Sequence, residues 1–296
     1  NKNTYSQWKK GVNPSLNSID KIRKIIPEIT EESFLEPYIE KFDIDDKFWN
    51  EIYNDDALDV LKKIPDNSIH LIITSPPYNA GHNYDGYNDN LSWLEYKTFM
   101  KKIITEIYRV LVIGGRLAIN VPFAVKNKKT KEVKFLSVLF ANICEELDFI
   151  NFEFITWHKG KNQEHFQGNN TAWGSWKSPS NPVFRPLGEI IMVFSKQQTR
   201  LVGDKDKIDI TGDEFKEWTK NIWYIVNNQS KKEHLCPYPD ELVKRLIKLY
   251  SYRDNIVLDP FNGVGTTTSV ASKLGRRYIG IEQSKKYCEI AKNNLT

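Results

Sequence analysis

A chain of 296 residues, 40% hydrophobic and 27% charged, can bury the core of one large α/β domain or two smaller ones, which excludes a disordered or fibrous protein. A formal charge of +4 and a pI near 8.7 are too mild to identify a nucleic-acid binder by net charge. The longest apolar runs, such as Val110–Ile113 and Glu189–Phe194, are far shorter than a bilayer requires. No signal-peptide pattern opens the chain, and Asn1 in place of Met is not expected to be a native start. Cys144, Cys236 and Cys288 are scattered without metal-ligand spacing, so a reduced cytoplasmic protein with no metal and no membrane contact is expected.

Residues 1–50 are polar and read as an N-terminal helical extension. Apolar residues recur at helical spacing over Ser18–Ile26 and Glu31–Phe42, interrupted by Pro14, Pro27 and Pro37. Such an arm could also serve a homodimer. From Glu51 strands and helices alternate: strand 51–54, helix 57–64, strand 69–74, then a helix from Trp93 to Leu111 ended by Gly114-Gly115. Strand 116–121, helix 135–146 and strand 149–157 complete a first half over 51–158. Residues 159–233 are irregular apart from a returning strand near 189–194, with a polar stretch to about His234. A last block, 234–296, contains helix 240–250, strand 255–259, helix 266–274, strand 277–282 and helix 287–295. Alternation of this kind predicts a doubly wound, mostly parallel α/β sheet with helices on both faces.

Strand 69–74 ends in Thr74-Ser75-Pro76-Pro77-Tyr78-Asn79. Two prolines fix φ at successive residues and remove two N–H donors, so carbonyls at the strand end are held rigidly and left free to accept, beside the flat ring of Tyr78. A planar heterocycle bearing an amino group suits that arrangement. A polyproline segment for a WW-type partner, or a simple turn, suits it as well.

The second motif is Asp259-Pro260-Phe261-Asn262-Gly263-Val264-Gly265-Thr266-Thr267. It follows a strand, opens a helix, and is followed by Glu282 at the end of the next strand, where a carboxylate can accept from both hydroxyls of a ribose. A dinucleotide fingerprint needs a third glycine where Thr268 stands, and Asp259 is ill placed beside a pyrophosphate. S-adenosylmethionine, with a sulfonium, an ammonium and no phosphate, suits the acidic turn, and an ordinary tight βα turn remains the bland alternative.

Asp259–Thr266 with Tyr278-Ile-Gly-Ile-Glu282 resembles the cofactor half of the DNA amino-methyltransferases, and Thr74–Asn79 resembles their catalytic motif. The resemblance runs from about residue 50 to the C-terminus. With the catalytic loop ahead of the glycine turn, the order is similar to the β-class, a circular permutation of a Rossmann-like methyltransferase sheet. It implies S-adenosyl-L-methionine as cofactor and catalysis at Ser75, Pro76, Pro77 and Tyr78, where the target amino group donates to the Ser75 side chain and the Pro76 carbonyl. Cofactor contacts are implied for Asp56, Leu58, Thr74, Leu235, Pro237, Asp259, Pro260, Phe261, Asn262, Gly263, Gly265, Thr266, Thr267 and Glu282. The resemblance implies Asp56 as the partner of the adenine amino group, with its neighbour Asp55 the less favoured alternative.

The implied substrate is double-stranded DNA with the target base flipped out. The irregular 159–186 insertion and the polar stretch 196–230 serve as target-recognition elements, with Lys159, Asn169, Asn170, Lys177 and Arg185 as DNA contacts. Trp173 and Trp176 are expected to pack beneath the insertion. Ser-Pro-Pro-Tyr is typical of cytosine-N4 enzymes and Asp-Pro-Pro-Tyr of adenine-N6 enzymes, so Ser75 favours cytosine N4. Adenine N6 and, more distantly, a protein glutamine or RNA nitrogen stay open. Cytosine C5 chemistry needs a nucleophilic cysteine in the catalytic loop, which is absent here. A cognate restriction endonuclease is the further partner that the resemblance suggests.

Overall fold

The chain divides into two units, Asn1–Asp45 and Asp46–Thr296. The computed structural model describes residues 49–81, 83, 84, 87–161, 174–184, 187–226 and 238–295, all in the second. The expected helices over 18–42 therefore lie outside the described residues.

In chain order the elements are β1 (Glu51–Tyr53), α1 (Ala57–Leu61), β2 (Ile69–Thr74), β3 (Asn83–Tyr84), β4 (Tyr87–Asn88), α2 (Trp93–Val110), β5 (Leu111–Pro122), β6 (Val125–Lys126), β7 (Val133–Lys134), α3 (Leu136–Glu146) and β8 (Phe149–His158). There follow β9 (Gly188–Lys196), a 3₁₀ turn (Lys205–Lys207), α4 (Gly212–Trp218), β10 (Ile222–Tyr224), α5 (Asp240–Tyr250), β11 (Ile256–Asp259), α6 (Thr266–Lys273), β12 (Arg277–Ile281) and α7 (Lys285–Asn293).

Among the described residues eight strands form one sheet in the order β1-β12-β11-β2-β5-β9-β8-β10, all parallel except β9. The chain leaves β11 outward through α6 to β12, and leaves β2 in the opposite direction through α2 to β5. The boundary between β11 and β2 is thus a topological switch point, and their carboxyl ends open side by side. The permutation is visible in the pairing: β1, first in the chain, extends the sheet beyond β12 with Glu51 opposite Ile279 and Tyr53 opposite Ile281.

Each element has a local cause. Ser92 and Glu95 form a capping box that starts α2, and Tyr96, Met100, Ile103, Ile104 and Ile107 make its buried stripe. α5 buries Leu242, Val243, Leu246 and Ile247 in a core shared with Leu71, Ile73, Trp157 and Val257.

Two expectations are corrected. α2 ends at Val110, before the glycine pair, because Leu111 already turns to extended geometry (φ −64°, ψ 137°). Gly114 and Gly115 lie inside β5, where its register against β2 shifts. Gly114 has φ +77°, and a Cβ there would overlap the Arg200 carbonyl. The stretch after β9 is also no polar loop. Thr211 and Glu214 cap α4, β10 pairs with β8, and Trp218 and Trp223 are buried, so this part of the expected target-recognition region belongs to the core.

Candidate active site at the sheet edge

The two motif loops meet at the switch point. Thr74, the last residue of β2, donates from Oγ1 to Oδ1 of Asp259, the last residue of β11, at 2.9 Å. Asp259 is 1% exposed and accepts three further donors: Phe261 N at 3.1 Å, Tyr238 Oη at 2.8 Å and Thr267 Oγ1 at 2.7 Å. A carboxylate has about four acceptor positions, so those of Asp259 are filled from within the protein. It holds the turn to the neighbouring strand instead of offering a free charge. Burial raises its carboxyl above the ordinary value, against the pull of the four donors.

The turn itself depends on glycine. Gly263 has φ +51° and Gly265 φ +86°, and a Cβ on Gly265 would fall 2.7 Å from that of Ala291. Gly265 caps α6 without a side chain, so Thr266 begins the helix with its backbone N–H groups toward the sheet edge. Asn262 is buried against Gly280, and its Nδ2 finds no partner. Pro260 is buried and Phe261 half-buried.

Glu282 follows β12. Its Oε2 accepts Gly263 N and its Oε1 accepts Ser284 N, both at 2.8 Å, which ties it across the turn with acceptor capacity remaining. Burial raises its carboxyl as well. Asp56 caps α1, its Oδ1 accepting from Leu58 N at 2.8 Å, and Asp55 is exposed. The acceptor capacity left on Glu282 and Asp56, on either side of a glycine turn, fits a nucleoside that donates from ribose hydroxyls and an amino group.

On the β2 side, Pro76 is buried, while Ser75, Pro77 and Tyr78 are half-buried. The Ser75 and Tyr78 hydroxyls lie 2.6 Å apart, which fixes the ring against the loop. The expectation that carbonyls stay free fails for Pro77, whose oxygen accepts from Tyr96 Oη of α2 at 2.6 Å. Beyond Tyr78, Asn79 takes φ +56° and is fully buried. Its N–H and that of Ala80 donate to the buried Asp89 carboxylate at 2.7 and 3.1 Å, and its side chain exchanges two bonds with Leu91. Asn127 Nδ2 closes the brace on the Asn79 carbonyl at 2.9 Å. Tyr96, Asp89, Asn127 and Tyr238 were not distinguishable in the sequence. Only Asn79, adjoining the motif, carried a signal.

Leu235 and Pro237, and Asn169, Asn170 and Arg185, lie outside the described residues, as does Trp173. Lys159 is not a free cation: it pairs with Glu189, whose other oxygen accepts from Asn120 at 2.6 Å. Lys177 stands at φ +56° in a turn closed by the Gly174–Pro182 bridge. Trp176 beside it is 64% exposed, so it does not pack beneath the insertion as expected. Among the described residues no helix is long and apolar enough to cross a membrane, and no cluster could hold a metal ion.

Residues 69–293 match the family model for DNA methylases, and the chain belongs to that family, that of the DNA cytosine-N4 and adenine-N6 amino-methyltransferases. It is a β-class, S-adenosylmethionine-dependent DNA methyltransferase. It is 30% identical over 250 residues to the Type II methyltransferase M.HpaI of Haemophilus parainfluenzae, covering 81% of this chain and 72% of that one. To the Type II methyltransferase M.BglII of Bacillus subtilis it is 32% identical, with 82% and 68% covered. Among solved structures, a DNA modification methylase of Thermus thermophilus complexed with S-adenosyl-L-methionine superposes with a TM-score of 0.67 at 27% identity, over 83% of this chain and 93% of that one.

Proposed function

We propose that this methyltransferase acts on the exocyclic N4 amino group of a cytosine flipped out of duplex DNA, with Ser75, Pro76, Pro77 and Tyr78 as its catalytic loop. S-adenosylmethionine would supply a methyl group activated on sulfonium, delivered by in-line displacement in which the N–C bond forms as the S–C bond breaks and the sulfur leaves as a neutral thioether, S-adenosylhomocysteine. The observation that carries the reading is the Thr74–Asp259 bond, which brings the cofactor turn and the aromatic loop to one point of the sheet edge.

On the cofactor side, Gly263, Gly265, Thr266 and Asn262 leave room for close backbone approach, Glu282 receives ribose hydroxyls, and the spare oxygen of Asp56 receives the adenine amino group. Leu58, Pro260 and Phe261 line the same cleft, and Leu235 and Pro237 precede it. Thr74, Asp259 and Thr267 act by holding the turn in place.

On the target side, an exocyclic amino nitrogen is a poor nucleophile because its lone pair is delocalised into the ring. Donation of its two N–H groups to Ser75 Oγ and to the Pro76 carbonyl favours a pyramidal nitrogen with the lone pair directed away from the ring. With the Pro77 carbonyl taken by Tyr96, the Pro76 carbonyl is the backbone acceptor of the pair. The nitrogen becomes acidic as it gains the methyl group, so no strong base is required beforehand. The Tyr78 ring, oriented by its bond to Ser75, stacks on the extruded base and offsets part of the few kcal/mol that extrusion costs.

The neutral Ser75 at the head of the motif supports cytosine over adenine. Lys177, in the exposed turn, and Asn169, Asn170 and Arg185 in the same insertion are the proposed base and phosphate contacts. Tritiated methyl transfer to mixed-sequence DNA, followed by digestion and nucleoside chromatography, tests this directly. N4-methylcytosine is the expected product, and label in N6-methyladenine overturns the cytosine assignment.

A further inference from the structure

Five lysines, Lys126, Lys128, Lys129, Lys131 and Lys134, stand within one ten-residue stretch that holds a single acid, Glu132. The net charge of the chain hides this cluster, and a solvated surface loop would account for it in sequence. The structure gives it a fixed place. β6 and β7 pair as an antiparallel hairpin that leaves the carboxyl end of β5, the same edge at which the Ser75–Tyr78 loop opens. Lys126, Lys128, Lys129 and Lys131 are exposed, while Asn127 between them is 1% exposed.

Asn127 explains both facts. Its Oδ1 accepts Lys129 N at 2.9 Å and Thr130 N at 3.0 Å, which closes the hairpin turn, and its Nδ2 donates to the Asn79 carbonyl. Lys128 N donates to the Ala80 carbonyl at 3.1 Å. Two hydrogen bonds therefore fasten the hairpin to the residues directly after Tyr78. A hairpin needed only for solubility has no use for a buried amide aimed at the catalytic loop. One that must keep charges at a set distance from that loop does.

We propose that the β6–β7 hairpin is a DNA-backbone site, in which Lys126, Lys128, Lys129 and Lys131 bind the phosphates flanking the extruded nucleotide. The inference rests on the DNA-methyltransferase reading of the Ser75 loop. Lysines are flexible point charges, so this site contributes affinity and register and reads no bases. Through Asn127 the register of the backbone is referred to Asn79, one residue from the stacking ring.

The test compares two quadruple variants that remove the same charge. One carries Lys126→Gln, Lys128→Gln, Lys129→Gln and Lys131→Gln. The control carries Lys62→Gln, Lys273→Gln, Lys286→Gln and Lys292→Gln, all exposed elsewhere. The probe is a plasmid fragment that the wild-type protein methylates, titrated by fluorescence anisotropy across a salt series, with S-adenosylmethionine binding measured in parallel. The hairpin variant is expected to weaken DNA binding by about 10- to 100-fold and to flatten the slope of log K against log salt by roughly two or more, at about 0.9 per phosphate lost. The control is expected to change binding by less than about threefold, and cofactor affinity to stay unchanged in both. The double variant Lys126→Gln with Lys129→Gln should show about half the change in slope. A hairpin variant that binds DNA like the control overturns the inference while wild-type methylation leaves the enzyme reading intact. A wild-type protein that puts no methyl on DNA removes that reading, and the inference with it.

Discussion

The two loops that meet between β2 and β11 reach the same rigidity by opposite means. The Asp259 turn uses residues that permit unusual backbone, Gly263 and Gly265 at positive φ, and is held by a buried carboxylate with four protein donors. The Ser75 loop uses residues that forbid most backbone, Pro76 and Pro77, and is held from outside by Tyr96, Asp89 and Asn127. Glycine suits the first because both positions take positive φ and Gly265 packs directly on Ala291. Proline suits the second because it fixes φ and brings no N–H of its own, which holds the Pro77 carbonyl where Tyr96 reaches it. The difference separates their failures: damage to the first should cost folding and cofactor binding together, and damage to the second should cost turnover alone.

The largest effect is expected at the hub. Asp259→Ala leaves the buried Tyr238, Thr74 and Thr267 hydroxyls and Phe261 N–H without their acceptor, at a cost of about 3–5 kcal/mol. Urea titration should show the loss of stability, and calorimetry should show loss of S-adenosylmethionine binding. If Asp259→Ala folds normally and binds cofactor, the turn is not braced as described. Next in size, Tyr78→Ala removes a stacking surface worth roughly 1–3 kcal/mol per base, which is roughly a 5- to 150-fold loss in methylation rate with cofactor affinity retained. An equal loss of cofactor affinity would merge the two loops into one functional unit and end the distinction.

How much of this was legible in sequence follows the same division. β2 and α5 have the bounds that periodicity predicts, Ile69–Thr74 and Asp240–Tyr250, and both motif loops stand at strand ends as expected. β10 and α4 were illegible, because Trp218 and Trp223 are the main apolar signals in a polar stretch and a three-residue strand has too few positions to show a period. The saturation of Asp259 could not be read either, since Thr74 lies 185 residues away in the chain. Asn79, Asp89 and Asn127 are residue types common in turns, and nothing local in the sequence marks them as buried and bonded to one another.

A smaller effect probes the outer brace. Asp89→Asn keeps the shape of the side chain but turns one acceptor into a donor that faces the N–H groups of Asn79 and Ala80. The loss is about 1–2 kcal/mol, or roughly 5- to 30-fold in turnover, with DNA and cofactor affinities nearly unchanged. A KM effect in place of a kcat effect would assign Asp89 to binding and not to positioning.

The smallest effect concerns the strand pair that carries both loops. β2 and β11 are joined at their carboxyl ends by Thr74 and Asp259, and at their amino ends by His70, whose Nδ1 accepts from Ile256 N at 3.2 Å. That bond needs a neutral ring with Nδ1 unprotonated, and burial holds the His70 pKa down to about 4 from an ordinary 6.5. The unfolded chain therefore binds a proton between these values while the folded chain does not. The contribution is fully present above pH 6.5 and is lost as pH falls through that window toward 4, by about 1 kcal/mol between pH 7.5 and 5.5. Urea midpoints at the two pH values should show the drop, and His70→Asn, which cannot titrate, should reduce it. Catalysis at pH 7.5 should be nearly indifferent to the same substitution, because the upper tie between the loops stays in place. If turnover falls with His70→Asn at that pH, the geometry of the loops depends on the whole length of the strand pair and not on its carboxyl ends.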